Sequence, residues 1–420
     1  MGRVIFHIDV NSAFLSWEAV YRLEHLGGKV DLRNEVAAVG GDMSMRHGII
    51  LAKSIPAKKY NIKTGESITE AKQKCPNLLL VPPHYNLYEQ CSAAFMGILN
   101  EFSDKVEQYS IDEAFIDMTG TEGLWGNCIQ AAFDLKDQIY NELGFTVNIG
   151  VSSNKLLAKM ASDFKKPNRV HTLFPEEIQA KMWPLPVGDL FFVGRATVKN
   201  LHKLGIYTIG QLAQSNPEIL RHHMKKHGEV IWHFANGRDV SIVESECPAN
   251  KGYGNSVTIA FDVTDAGIAK LVLLALAEKV ATRLRANKVT AEVISVGIKY
   301  HDFSYIGHQA TLNNATNITI EIHKIVCRLF DDLWNGNAIR HLGIHTSRIK
   351  DNMNMRQIDM FDSIDYGRLE KLDNTVDSIR ERFGRDTIKR AAFVNGKIDH
   401  MSGGISREKH VVDYKKIDVK

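Results

Sequence analysis

Hydrophobic and polar positions along the chain switch repeatedly between strand-like and helix-like periods. Arg3 to Val10 is a nearly continuous apolar run rich in Val, Ile and Phe, the pattern of a buried strand. From Ser12 to Leu26 the spacing becomes helical, with Ser12 as N-cap and Gly27-Gly28 as the stop. Short strands are predicted over 36–40 and 48–54 and a helix over about 85–102. Two strands, about 105–109 and 112–118, then flank Ser110, and a helix over about 127–142 ends at Gly144. The strand Phe145–Val151 and the helix Ser153–Phe164 follow. The order strand, helix, strand, strand, helix, strand predicts a ferredoxin-like sheet with helices on one face. Residues 28–84 then form an insertion after the first helix.

From Pro175 to about Asp239 the pattern changes to short helices broken by Gly and Pro. Residues 241–253 carry Ser, Pro and Gly with little periodicity and read as a linker. Beyond them, strands (Ser256–Phe261, Val293–Tyr300) alternate with helices (about 265–287 and 316–335), which predicts a second α+β unit over 254–349. Residues 350–420 are polar and weakly patterned. The expected class is α+β multidomain, without repeats or low-complexity tracts.

Composition narrows the function classes. A chain of 420 residues, 44% apolar and 24% charged, can bury several cores and is not a disordered chain. A net charge of only +3 excludes a uniformly basic, histone-like binder. The charge is uneven, however: residues 1–154 balance to −6 and residues 155–240 to +6. That distribution suits a metal-binding core beside an anion-binding module, although ordinary variation between solvated faces produces it too. No stretch approaches the roughly 18 uncharged apolar residues of a membrane span, and no secretory signal is visible. Five scattered cysteines without a Cys-x-x-Cys pair argue against a disulfide framework or zinc finger and fit a reducing cytosol.

The chemical signal is carried by acidic residues at apolar strand ends. Asp9 closes the first strand, in His7-Ile8-Asp9-Val10-Asn11, and Asp112-Glu113 sits in Tyr109-Ser110-Ile111-Asp112-Glu113-Ala114-Phe115-Ile116-Asp117. Carboxylates in an apolar strand are costly unless compensated, and divalent cations are the usual compensation where acids outnumber nearby bases. In the predicted fold the first strand lies beside the hairpin bearing Asp112, so three carboxylates meet at one sheet edge. Neighbouring strand residues point to opposite faces, so Asp112 and Glu113 must sit at the hairpin turn if both are to bind metal. Without that convergence they are solvent-facing strand ends.

These two strings resemble the palm motifs of Y-family translesion DNA polymerases, the UmuC/DinB (ImpB/MucB/SamB) group, and Asp9-Val10-Asn11 looks more like UmuC than DinB. The resemblance continues through Gly150-Val151-Ser152-Ser153-Asn154-Lys155-Leu156-Leu157-Ala158-Lys159 and Lys165-Lys166-Pro167-Asn168, and covers about residues 3–350 in order. It implies a right-hand polymerase: palm over 1–20 and 85–173, small fingers over 21–84, helix-hairpin-helix thumb over 174–240, linker over 241–253, little finger over 254–349 and a C-terminal tail over 350–420. It also implies low-fidelity transfer of a nucleotidyl group from a dNTP to a primer 3′-hydroxyl on primer-template DNA, with two Mg²⁺ ions. Nothing resembles an exonuclease domain, so proofreading is not expected. By match, Asp9 and Asp112 bridge both ions, Glu113 holds the nucleophile-side ion and the Val10 carbonyl completes the nucleotide-side ion.

The resemblance makes Phe14, five residues after Asp9, the steric gate that excludes a ribose hydroxyl. A core aromatic is the plain alternative. The amides of Ser12, Ala13 and Phe14 at a helix start cradle phosphates, and Lys58 and Lys166 reach the triphosphate. The sequence departs from the pattern at Ile55, where many relatives carry a phosphate-contacting Tyr, and at Ala13, where an aromatic is common. Leu185 to Gly210 looks like the thumb hairpin, in which Gly194, Arg195, Lys203 and Gly205 hold DNA and Arg195 stands in place of the second Gly of the usual Gly-x-Gly. Gln357-Ile358-Asp359-Met360-Phe361 resembles the clamp-binding peptide of bacterial polymerases, with Gln357, Asp359, Met360 and Phe361 engaging a sliding clamp. Recombinase filaments and accessory subunits are further partners that the resemblance leaves open, and the expected location is cytoplasmic, at the nucleoid. Two other patterns point elsewhere. Gly40-Gly41-Asp42-Met43 is near a cyclase signature, but Met43 and its place in the insertion argue against it. The histidines at 222, 223, 227, 341 and 345 have metal-like spacing without cysteine partners. A nucleotidyl cyclase and a catalytically dead DNA-binding relative are the rival readings.

Overall fold

The computed structural model describes residues 2–41, 48–246, 249–352, 365–394 and 398–400. These form two compact units, the first of residues 2–40 and 50–246 and the second of residues 41, 48 and 49 with 249–400. Among the described residues no helix is long and apolar enough to cross a membrane.

The first unit is built on strand β1 (Ile5–Val10), followed by helix α1 (Ala13–His25). An inserted three-stranded sheet follows: β2 (Ala37–Gly40), β3 (Ile50–Lys53) and β4 (Leu79–Val81), with helices α2 (Ile55–Lys58) and α3 (Ile68–Lys74). The chain then returns through α4 (Tyr85–Phe102), the hairpin β5 (Val106–Gln108) and β6 (Glu113–Asp117), α5 (Glu122–Trp125), α6 (Cys128–Leu143), β7 (Val147–Ser152), α7 (Lys155–Ser162) and β8 (Val170–Thr172). The main sheet has the order β5-β6-β1-β7-β8. Its first four members carry the antiparallel ferredoxin-like arrangement, and β8 adds a parallel fifth strand beside β7.

Alternation along β1 explains how the sheet is covered. Phe6, Ile8 and Val10 enter a core with Leu15 and Trp17 of α1, Phe95 and Leu99 of α4 and Leu135 and Ile139 of α6. The odd positions face the other way: Ile5 packs with Phe115 and Ala158, and His7 bonds Ser162 at 2.8 Å. Helix α7 therefore lies on the opposite face, a departure from the single helical layer that the element order predicts. Gly150 is what permits it, because a Cβ there would come within 1.9 Å of the Ala158 carbonyl oxygen.

The rest of this unit is helical: α8 (Arg195–Lys203), α9 (Ile209–Gln214), α10 (Pro217–Met224) and α11 (Lys226–Ala235). These helices, together with part of α7, enclose a core around Leu157, Met182, Leu201, Leu212 and Ile231. Capping follows the sequence: Asn154, Thr208 and Asn216 accept from backbone N–H groups at the starts of α7, α9 and α10.

The second unit is a four-stranded antiparallel sheet in the order β11-β10-β12-β9. Its strands are β9 (Gly252–Val263), β10 (Val289–Tyr300), β11 (Tyr305–Thr316) and β12 (Ile339–Asp351), and its helices are α12 (Ala266–Ala286), α13 (Thr319–Leu333) and α14 (Tyr366–Phe383). Helix α14 falls in the weakly patterned stretch after 350. Its polar face is consumed by ion pairs to α12, Arg285 to Asp373 (3.1 Å) and Asp377 (2.7 Å) and Arg380 to Glu278 (3.5 Å), rather than by solvent.

Candidate active site

Register brings the predicted acids together. Asp9 pairs with Glu113 across β1 and β6, and the Val10 amide donates to the Asp112 carbonyl at 3.0 Å. Glu113 opens β6, and Asp112 sits in the bend just before it, held by the Ser110 hydroxyl, which donates to Asp112 Oδ1 at 2.7 Å. The bend relaxes strand alternation where the sequence requires it, so all three acids occupy one end of the sheet.

Helix α7 and the turn after it answer these acids with two cations. Lys159 Nζ lies 2.9 Å from Glu113 Oε2. Lys166 Nζ lies 2.8 Å from both Asp9 Oδ2 and Asp163 Oδ1. His7 Nε2 approaches Glu113 at 3.7 Å, too long for a hydrogen bond. Burial pushes Asp9 up to about 7 against the pull of Lys166. Asp112 is raised by burial and by the Glu113 charge. Burial also acts on Glu113, but the hydrogen-bonded Lys159 ammonium outweighs it and holds that group down to about 2. Burial depresses His7 to about 4, so its ring is neutral at pH 7.

Four carboxylates, those of residues 9, 112, 113 and 163, thus share two ammonium groups. Hard oxygen donors in excess of bases suit a divalent cation of the magnesium type, and the donor set fits one. The acids do not close on a single point: among the described residues, the only group of three such side chains with ligand atoms within 4.8 Å of one another is Asp386, Asp399 and His400.

A cleft of about 530 Å³ opens beside Asp9, lined among others by Ser12, Ser54, Ile55, Lys58, Thr146 and Lys166. Ser12 takes a left-handed conformation (φ 50°) at the start of α1 and makes no side-chain cap, so the first-turn amides are not capped from within. Ala13 is buried. Phe14 stacks on Tyr88 (centroids 4.4 Å apart, planes 6° apart), while Tyr88 donates to Glu18 at 2.9 Å. Ser54 caps α2 by accepting from the Ala57 amide, which fixes the exposed Lys58 at the rim. The Val10 carbonyl lies at the end of β1 beside these groups.

The hairpin residues lie on and just after α8: Gly194 is its N-cap, Arg195 its first residue, Lys203 its last, and Gly205 (φ +76°) turns the chain toward α9. The departure from Gly-x-Gly, however, is not at Arg195. The left-handed residue of the hairpin is Phe192 (φ +71°), two before Gly194, so Phe192 occupies a position that glycine normally fills. The peptide residues Gln357, Asp359, Met360 and Phe361, like Asp42 and Met43, lie outside the described residues. None of the histidines 222, 223, 227, 341 and 345 joins a metal-ligating group among the described residues. Sequence reasoning assigned no role to Lys159, His7, Ser110 or Tyr88, which support Glu113, Asp112 and Phe14. His7, Ser110 and Lys159 stand inside the quoted motif strings, but no role was legible for them there.

Comparison with known proteins finds one family along most of the chain. The impB/mucB/samB family model matches residues 8–163, the family's helix-hairpin-helix motif matches 175–206 and its C-terminal domain matches 250–360. The DNA polymerase IV of Clostridium acetobutylicum is 44% identical over 396 residues, 94% of this chain and 99% of that protein. The chain belongs to the impB/mucB/samB family. Within that family, DNA polymerase IV 2 of Bacillus subtilis is 35% identical over 399 residues, covering 93% of this chain and 94% of that protein. A solved Y-family DNA polymerase chimera aligns with TM-score 0.69 and 22% identity over 83% of this chain and all of that one. DinB from Sulfolobus solfataricus aligns with TM-score 0.54 and 23% identity over 82% of this chain. At that identity the solved structures establish the Y-family fold. The lean toward UmuC rests on Asp9-Val10-Asn11 alone, since these curated relatives carry the DNA polymerase IV name.

Proposed function

We propose that the chain is a template-directed DNA polymerase of the translesion type, taking primer-template DNA and dNTPs as substrates. The observation that carries the reading is the pairing of Asp9 with Glu113, with Asp112 in the adjoining bend, Asp9 itself lining a cleft that also bears Ser12, Lys58 and Lys166. Two Mg²⁺ ions, held by Asp9, Asp112, Glu113 and the Val10 carbonyl, would supply activation of the primer 3′-hydroxyl and neutralisation of the triphosphate.

The chain's own residues do the rest. Lys58 and Lys166 receive the triphosphate oxygens together with the amides of Ser12, Ala13 and Phe14. Lys166 must then leave Asp9, which frees the carboxylate as the lysine turns to phosphate. Lys159 stays on Glu113 and keeps it ionised. Tyr88 holds the Phe14 ring by stacking on it, and that ring meets the sugar and leaves no space for a 2′-hydroxyl. Gly194, Arg195, Lys203 and Gly205 grip the duplex phosphates. Gln357, Asp359, Met360 and Phe361 dock on a sliding clamp, and the protein acts in the cytoplasm at the nucleoid.

The deciding experiment is extension of a primed template, intact or carrying an abasic site, with Mg²⁺ and all four dNTPs. Extension past the abasic site is expected. Absence of any extension on the intact template would overturn the reading.

A further inference from the structure

The thumb hairpin contains a residue that its backbone does not favour. Val193 N donates to the Leu190 carbonyl at 3.0 Å, closing a four-residue turn whose third member is Phe192. With φ +71°, Phe192 holds the position at which such turns select glycine or asparagine. A bulky side chain is disfavoured there, and non-glycine residues persist in this region where a function requires them.

Nor is the ring simply buried. Phe191 meets it edge-on at 4.7 Å and Phe234 at 5.7 Å, yet Phe192 remains 55% exposed. The turn leads directly into Gly194 and Arg195 at the start of α8, in the segment whose charge balance is +6. An apolar ring is therefore projected from the most cationic stretch of the chain, beside the first-turn amides of a helix. Such surroundings fit a polyanion that also offers apolar area. Duplex DNA has both, with phosphates outside and deoxyribose faces and base edges along the minor groove.

We infer that Phe192 is a DNA-contacting residue, its ring lying on the sugar and minor-groove surface of the primer-template duplex while Arg195 and the α8 amides hold the phosphates. This rests on the polymerase reading above and adds to it a contact that releases no counterions. Phosphate contacts weaken steeply with salt, whereas an apolar one does not. The ring would therefore hold the duplex where ionic contacts are screened.

The test uses the full chain and a fluorescent primed template, with affinity measured by anisotropy at low and high salt. Phe192→Gly removes the ring and relieves the backbone at once. The expected result is an unchanged or higher melting temperature with affinity lowered about fivefold at both salt concentrations and an unaltered salt slope. Arg195→Ala, in contrast, should flatten the slope. Parental affinity in Phe192→Gly with weakened binding in Arg195→Ala overturns the contact but leaves the thumb on DNA. Parental affinity in both variants overturns the contact and the thumb assignment with it. A fall in melting temperature in Phe192→Gly would make the ring a packing element, and the inference fails.

Discussion

Two clusters of ion-paired side chains, one in each unit, differ in balance. In the second unit, Glu278, Asp373 and Asp377 face Arg285, Arg380 and Arg390, three acids for three guanidinium groups. The remaining capacity is used as well: Asp373 accepts from the Thr319 amide at 2.8 Å and Arg285 donates to the Asn317 carbonyl at 2.7 Å. In the first unit, four acids share two lysines, and Asp9 is driven toward protonation. Arginine forks fix geometry and do not let go, whereas lysine is a mobile point charge. The closed set reads as a clasp between α12 and α14. The unbalanced one is left needing positive charge, which is the state a metal-dependent phosphoryl-transfer site requires.

The sharpest way to break this contrast is Asp112→Ala. Primer extension should fall by about a thousandfold or more while duplex binding and melting temperature stay close to the parent. Single-turnover extension checks it, and retained extension would return the acids to ordinary strand ends. Arg285→Ala should do the converse. It strands Asp377, weakens the hold on Asp373 and should cost about 3–5 kcal/mol of second-unit stability, read by denaturant unfolding. Full stability would show that the clasp contributes nothing.

Phe14→Ala should raise ribonucleotide incorporation by about 10- to 100-fold, measured as the ratio of kcat/KM for rNTP and dNTP. Unchanged sugar selection would leave Phe14 as a partner of Tyr88 and nothing more.

The smallest effect is on pH dependence. The folded state holds the Asp9 proton up to about pH 7, whereas an unfolded aspartate loses it near 3.8. Without metal, this group's contribution to stability is therefore present at low pH and lost as pH rises through that window. Glu113 has the opposite sign: held down to about 2, its contribution is present above its ordinary value and lost only as pH falls toward 2. Mg²⁺ must displace the Asp9 proton, so the rise in melting temperature that Mg²⁺ produces should grow by a few degrees between pH 6 and 8. Asp9→Asn should abolish that growth, and a pH-independent Mg²⁺ effect in the parent would refute the coupling.

What the sequence disclosed follows from which contacts are local. Asp9 and the Asp112-Glu113 pair stand out because a charge inside an apolar run is anomalous on its face. Ferredoxin-like order is legible because hydrophobic period and glycine stops mark each element. Lys159 and His7 are not, since their roles depend on α7 crossing the far side of the sheet, and nothing short-range announces that crossing. β8, β11 and β12 escape for a related reason: β8 is three residues long, and Gly, His, Asn and Thr thin out the apolar positions of the other two. Helix α14 hides its docking face behind arginine and aspartate, which a hydrophobic pattern does not register. Phe192 is visible as a residue, but its left-handed backbone is a property of the turn.

The hydrogen at Gly150 has a reach beyond its size. Because the helix rests directly on strand backbone there, the gap between them has no slack, and a Cβ would also press within 2.5 Å of the Ser162 amide. A single methyl at that spot would act as a wedge, tilting outward the scaffold that delivers Lys159 and Lys166. Fidelity and speed would then shift together through a substitution that touches neither nucleotide nor template.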